Sequence, residues 1–121
     1  MAKLNVDLHG RNILILEDEY LIAQDMARAI RKCGGTVLGP APTVRRALDM
    51  LSSTQEIDGA ILDINLVGEV SFPVADMLKS RSIRYVFASG CDPSLIPEHH
   101  RGAPHHLKPV EICEVVHSLF G

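Results

Sequence analysis

The chain has no apolar run near the roughly 20 residues that a bilayer-spanning helix needs. It also has no Lys/Arg run longer than a pair such as Arg45-Arg46, and its formal net charge is −3. The first absence argues for a soluble protein. The second removes the basic footprint that nucleic-acid binding requires. The three cysteines, Cys33, Cys91 and Cys113, cannot all pair within the chain and match neither CxxC nor a zinc-ligand spacing, so reduced thiols are expected. Residues 1–11 lack the cationic start and apolar middle of a secretory signal, which leaves the cytoplasm as the expected compartment. No internal repeat or low-complexity segment is present. With 121 residues, 46% of them apolar and 22% charged, the chain has the size and composition of one globular domain. Residues 1–11 read as an N-terminal extension or linker stub, and within these 121 residues no output domain is expected beside the one domain, whether it stands alone or was cut from a larger protein.

What is present is an alternation. Short apolar runs rich in β-branched residues, at Asn12 to Leu16, Thr36 to Gly39, Ala60 to Asp63, Tyr85 to Ala88 and His105 to Leu107, read as five strands of a parallel sheet. Between the first two, Ile22, Met26 and Ile30 recur every fourth residue before Gly34-Gly35, which predicts a helix and its stop. Thr43 suits an N-cap ahead of the stripe Val44, Ala47, Leu48, Leu51. Ser71 with Pro73 in the first turn opens a third helix, and Ile112, Val115, Val116 and Leu119 mark the last. Between Cys91 and Pro104, the residues Pro93, Pro97, Gly102 and Pro104 would interrupt a long helix, so a loop with at most a short helical turn is expected. The expected fold is α/β and doubly wound, a flavodoxin-like five-stranded parallel sheet of order 2-1-3-4-5 with a shortened or irregular fourth helix.

Ligands of such a sheet bind beyond the carboxyl ends of its strands. That rule selects Glu17-Asp18-Glu19, Asp63-Ile64-Asn65, Ser89-Gly90 and Lys108-Pro109. Two carboxylates about 4 Å apart repel by roughly 4 kcal/mol at an effective dielectric near 20, so an acidic crevice calls for a cation. Mg²⁺ suits an oxygen-rich site and leaves coordination positions for water and phosphate. A lysine there can pair with a carboxylate at rest and with a phosphate oxygen later, while a serine hydroxyl donates one more hydrogen bond. Asp63 directly follows the apolar run Ala60-Ile61-Leu62 and is the best-placed carboxylate nucleophile.

Together Leu16-Glu17-Asp18-Glu19, Leu62-Asp63-Ile64-Asn65, Phe87-Ala88-Ser89-Gly90 and Lys108-Pro109 resemble the receiver domain of two-component response regulators, over almost the whole chain. The resemblance implies Asp63 as phosphoacceptor, Asp18 as a direct Mg²⁺ ligand, Glu17 as a ligand through water and Asn65 as a ligand through its backbone carbonyl. Mn²⁺ could replace Mg²⁺. It also implies Ser89 as the hydroxyl that moves on activation, Lys108 as the pocket lysine, and a cis peptide between Lys108 and Pro109. The phosphoryl donor would be a histidine kinase or a histidine phosphotransfer protein, and homodimer formation stays open. Such a domain catalyses only its own phosphorylation and dephosphorylation and is otherwise not an enzyme. Two departures stand out. His105 occupies the switch position where the family has Tyr or Phe. Phe87-Ala88-Ser89-Gly90 with the Pro-rich segment resembles the FAT GUY subgroup, with Ser89 in place of its threonine.

Other readings compete. Strand-end acids can simply cap helices, with Glu19 a complement to the helix dipole. His99, His100, His105 and His106 read as surface or packing residues, and Met26, Met50 and Met77 as filler. A phosphohydrolase of the haloacid-dehalogenase pattern needs an acid two residues after its nucleophile, where Asn65 stands. A flavin binder would be repelled by Glu17-Asp18-Glu19. A degenerate receiver serving as a phosphorylation-independent binding module is the nearest rival.

Overall fold

The computed structural model describes residues 7–54, 56–90 and 93–120. In chain order the elements are β1 (Asn12–Leu16), α1 (Tyr20–Lys32), β2 (Thr36–Ala41), α2 (Val44–Ser53), β3 (Gly59–Leu62), β4 (Asn65–Leu66), β5 (Glu69–Val70), α3 (Phe72–Ser80), β6 (Arg84–Ser89), two 3₁₀ turns (Pro93–Leu95 and Glu98–His100), β7 (His105–Leu107) and α4 (Ile112–Phe120). Five strands form one sheet in the order β2-β1-β3-β6-β7, with every pairing parallel. This is the expected flavodoxin-like order, with β6 and β7 as the fourth and fifth strands of the sheet. The two short turns stand where a regular fourth helix would lie, as the prolines there predict.

The period-2 alternation of strands divides the core between the two faces of the sheet. On one face Leu14, Leu16, Ala60, Leu62 and Phe87 pack against Val44, Ala47 and Leu51 of α2 and Val74, Ala75 and Leu78 of α3. On the other, Ile13, Ile15, Ile61, Val86 and Ala88 pack against Met26, Ala27 and Ile30 of α1 and Val115, Val116 and Leu119 of α4. Each fully buried aliphatic or aromatic side chain contributes roughly 1.5–3 kcal/mol, so these strands hold the site rigidly from below. Thr43 caps α2 as its sequence position suggests, its side chain accepting from the backbone N–H of Arg46 at 3.1 Å.

Residues 7–11 of the expected extension are joined to the domain. Leu8 is fully buried, its backbone N–H donates to the Cys33 carbonyl at 2.7 Å, and the Arg11 guanidinium lies over the Phe120 ring. The remainder of that stretch and Cys91 lie outside the described residues, and Cys33 is a free thiol.

Three local features depart from the sequence expectation. First, β2 runs past Gly39 to Ala41 through a bulge, with a cis Gly39–Pro40 peptide. An edge strand tolerates the missing proline N–H, and Ala41 resumes the pairing opposite Leu16. Second, the hairpin β4–β5 follows Asp63 directly, turned by Gly68 at φ +77°. Third, the Ser71 side chain makes no cap hydrogen bond to α3; Pro73 in the first turn opens that helix without it.

Gly39 sets where β1 ends. The Ala41 carbonyl accepts from the Glu17 backbone N–H at 3.0 Å, so the bulge fixes the first acidic residue of the loop. Gly39 has φ +97°, and a Cβ there would lie 2.6 Å from the Ala41 nitrogen. Gly39→Ala should therefore destabilise the fold by at least about 2 kcal/mol through positive-φ strain plus the backbone clash, read as a lowered urea midpoint with unchanged slope.

Candidate functional site

The carboxyl ends of β1, β3, β6 and β7 bring four predicted segments to one edge. Glu17, Asp18 and Asp63 each offer a carboxylate oxygen within 4.8 Å of the others. Glu17 and Asp63 are buried, and Asp18 is partly exposed. Lys108 reaches in from beyond β7, placing Nζ 2.6 Å from Glu17 Oε1 and 3.1 Å from Asp63 Oδ2. The Asp63 contact is a hydrogen bond as well as an ion pair. The Lys108–Pro109 peptide is cis. Glu19, Asp63, Asn65, Ser89, Gly90 and Lys108 line an open cavity of about 280 Å³ over this cluster.

Backbone donors hold the acids in place. Glu17 Oε2 accepts from the Glu19 N–H at 3.1 Å, and Asp18 Oδ2 accepts from the Val67 N–H at 3.1 Å. The second bond comes from the β4–β5 hairpin, which also sends Glu69 Oε2 to the Val44 N–H at the start of α2. Sequence reading missed this hairpin because its strands are only two residues long. The one available signal was Gly68 between the polar and apolar residues of that stretch. Glu19 is the N-cap residue of α1 and lies outside its first turn, and its side chain makes no cap hydrogen bond.

Ser89 ends β6 with its Oγ 3.4 Å from Nε2 of His105, the residue expected at the switch position. Burial, helped by the neighbouring His106, holds the His105 pKa below the ordinary histidine value, so the ring is the neutral form that a hydroxyl can share a hydrogen bond with.

The balance of charge in the pocket decides what it can bind. At an effective dielectric near 20, each carboxylate pair within 4.8 Å repels by at least about 3 kcal/mol, and each lysine contact attracts by about 5–6 kcal/mol. Three repulsive pairs offset most or all of the attraction of two lysine contacts, which leaves the burial of the acids uncompensated. Glu17 reports this. Its pKa is pushed up to about 7, first by burial and then by the charge of Asp63, against the opposing pull of Lys108. The same two anions hold the Lys108 pKa above its ordinary value despite burial, so the ammonium keeps its charge. Three carboxylates against one ammonium leave two negative charges when all ionise, which is the deficit a divalent cation fills. The donors are all oxygen, as Mg²⁺ requires, so these residues fit that ion.

An α/β sheet of this order, with an acidic, lysine-bridged pocket at its carboxyl edge, defines the flavodoxin-like class with a site that fits a divalent cation. Comparison with solved structures makes the family specific. The chain is 33% identical to SdrG from Pseudomonas melonis Fr1, solved in its BeF₃-activated conformation, over 100% of both chains with a TM-score of 0.76. It resembles the PhyR response-regulator receiver domain from Erythrobacter litoralis at 23% identity, covering 93% of this chain and 92% of that one, with a TM-score of 0.77. It also resembles the response regulator TrrA from Thermotoga maritima in complex with Mg²⁺–BeF at 20% identity, covering 88% and 94%, with a TM-score of 0.75. No protein-family model and no curated protein matches the chain. The chain belongs to the receiver-domain family of response regulators, and its role lies in two-component signalling.

The raised Glu17 pKa gives a pH dependence with a definite sign. A carboxyl group whose pKa is higher in the fold stabilises it fully below the ordinary value of 4.5, and that contribution is lost as pH rises to about 7. Without divalent ions, stability should therefore fall by on the order of 2 kcal/mol from this group as pH rises from about 5 to about 8. Glu17→Gln should flatten the trend, and Mg²⁺ should raise the thermal midpoint more at the higher pH. Thermal melts across that range, with and without Mg²⁺, check both.

Proposed function

We propose that Asp63 accepts a phosphoryl group from a phosphohistidine on a histidine kinase or histidine phosphotransfer protein, in a Mg²⁺-dependent relay step in the cytoplasm. The observation that carries this reading is the Lys108 bridge between Asp63 and Glu17 in a pocket short of positive charge. An Asp63 carboxylate oxygen attacks phosphorus, the P–N bond breaks as the P–O bond forms, and the imidazole leaves with the bond's electron pair. Asp18, Asp63 and the Asn65 backbone carbonyl would hold Mg²⁺, with Glu17 acting through water. When bound, the ion supplies charge screening between the two anions and alignment of the reactants. Hydrolysis of the acyl phosphate at the same site resets the chain, which acts on no other substrate.

Phosphorylation adds about −1.5 to −2 charges and new acceptor oxygens beside Asp63. Lys108 can then turn from Asp63 to a phosphoryl oxygen, and Ser89 can donate its hydroxyl to another. Drawing Ser89 inward stretches its contact with His105 beyond the present 3.4 Å, so the switch position is coupled to the pocket by a hydrogen bond in place of a swinging aromatic ring. The segment after Gly90 is separated from Ser89 by that one glycine. The likeness to the FAT GUY subgroup supports an output in which this segment rearranges without a regular helix shifting.

The test is incubation with acetyl phosphate or phosphoramidate and Mg²⁺, read by intact mass. One phosphoryl adduct on the wild-type chain and none on Asp63→Asn is expected. No adduct with either donor, together with no Mg²⁺ binding, would identify a phosphorylation-independent binding module.

A further inference from the structure

A second cluster of metal-ligating side chains shares no residue with the acidic pocket. Asp76 on α3 faces the second 3₁₀ turn, where His100 Nε2 lies 2.6 Å and His99 Nε2 3.0 Å from the same oxygen, Asp76 Oδ1. His100 is buried among Phe72, Tyr85 and Phe87, and its Nδ1 is 2.5 Å from the Tyr85 hydroxyl. Those two contacts satisfy both ring nitrogens of His100, so its packing role is complete without His99. Yet His99, with 57% of its side chain exposed, turns its ring to a centroid separation of 4.1 Å from His100 and aims Nε2 at the same carboxylate oxygen. Lys79, one helical turn beyond Asp76, donates to the His99 backbone carbonyl at 2.5 Å and fixes that residue in place. Two imidazoles thus converge on one carboxylate from a turn that Lys79 anchors to the helix.

We propose that Asp76, His99 and His100 form a zinc-binding site that clamps the irregular segment between β6 and β7 to α3. Zinc takes imidazole nitrogen and carboxylate oxygen at about 2.0–2.2 Å in a tetrahedral arrangement, whose donor–donor edges are therefore about 3.3 Å. The present separations of 2.6 and 3.0 Å need to open by roughly 0.7 and 0.3 Å to reach that edge, and Asp76, with 57% of its side chain exposed, has room to move that far. Both Nε2 atoms then offer lone pairs, and His100 donates its Nδ1–H to the Tyr85 oxygen. That is the outer partner a metal-bound histidine usually has, fixing tautomer and ring orientation together. Three protein ligands leave the fourth position to water. The site already draws the Asp76 carboxyl below its usual range through the hydrogen bond from His99 and then that from His100, so the carboxylate is ionised and available.

The full chain, kept in excess Mg²⁺ so that the acidic pocket is saturated, can be titrated with ZnCl₂ against a colorimetric zinc chelator. Uptake of a single zinc ion is expected. It should weaken by at least about tenfold in both His99→Gln and Asp76→Asn, the lower end of the cost of losing even an outer partner of a metal ligand. Affinity should also fall as the solution is acidified, because protons compete for imidazole nitrogen. His99 is exposed, so His99→Gln keeps the fold and decides the question if Asp76→Asn does not. No zinc uptake, or uptake unchanged in His99→Gln, would overturn the proposal.

Discussion

Lys108 sits between two buried carboxylates, and much of the active edge depends on how that contact is balanced. The ammonium lies 2.6 Å from Glu17 and 3.1 Å from Asp63, with Asp18 completing the acidic set. One positive charge cannot satisfy three negative ones in a partly dehydrated crevice. Burial first, and then the charge of Asp63, push the Glu17 pKa up to about 7. The sheet makes this arrangement possible: two apolar layers fix the ends of β1, β3 and β6, so the acids cannot separate to relieve their repulsion. A fold held this firmly stores an unmet demand for positive charge at one edge.

The same constraint accounts for what was legible in the sequence. Strand alternation, helix stripes and Thr43 as a cap are local signals, and the sheet order follows from the regular alternation of strand and helix. The acidic residues could be placed together because each ends a strand that the topology brings to one edge. The β4–β5 hairpin was hidden, since two-residue strands carry no periodicity and their worth lies in tertiary bonds from Val67 to Asp18 and from Glu69 to α2. The extension of β2 through Gly39–Pro40 was hidden too, because a proline normally ends a strand reading and only the edge position excuses it. His100 was legible as a packing residue at most. Its burial against Phe72, Tyr85 and Phe87 depends on contacts made across the sheet and α3.

The segment between β6 and β7 is where this chain differs most from a regularly wound α/β domain. Prolines replace a helix with two short turns, and the helix's usual packing gives way to a polar and aromatic anchor built on His100, Tyr85 and Asp76. Such an anchor is directional and depends on a few contacts, whereas a packed helix face is held by many. The segment joins Ser89 at one end and His105 at the other, and those two residues touch. A change at the pocket thus meets an element that can rearrange without moving a whole helix.

The central claim is that the pocket is short of positive charge, and Mg²⁺ affinity measured calorimetrically near pH 8 for the wild-type chain and Lys108→Met tests it most directly. Removing the ammonium deepens the deficit by one charge, so Lys108→Met should bind Mg²⁺ more tightly than the wild type. Equal or weaker binding in Lys108→Met would contradict the account.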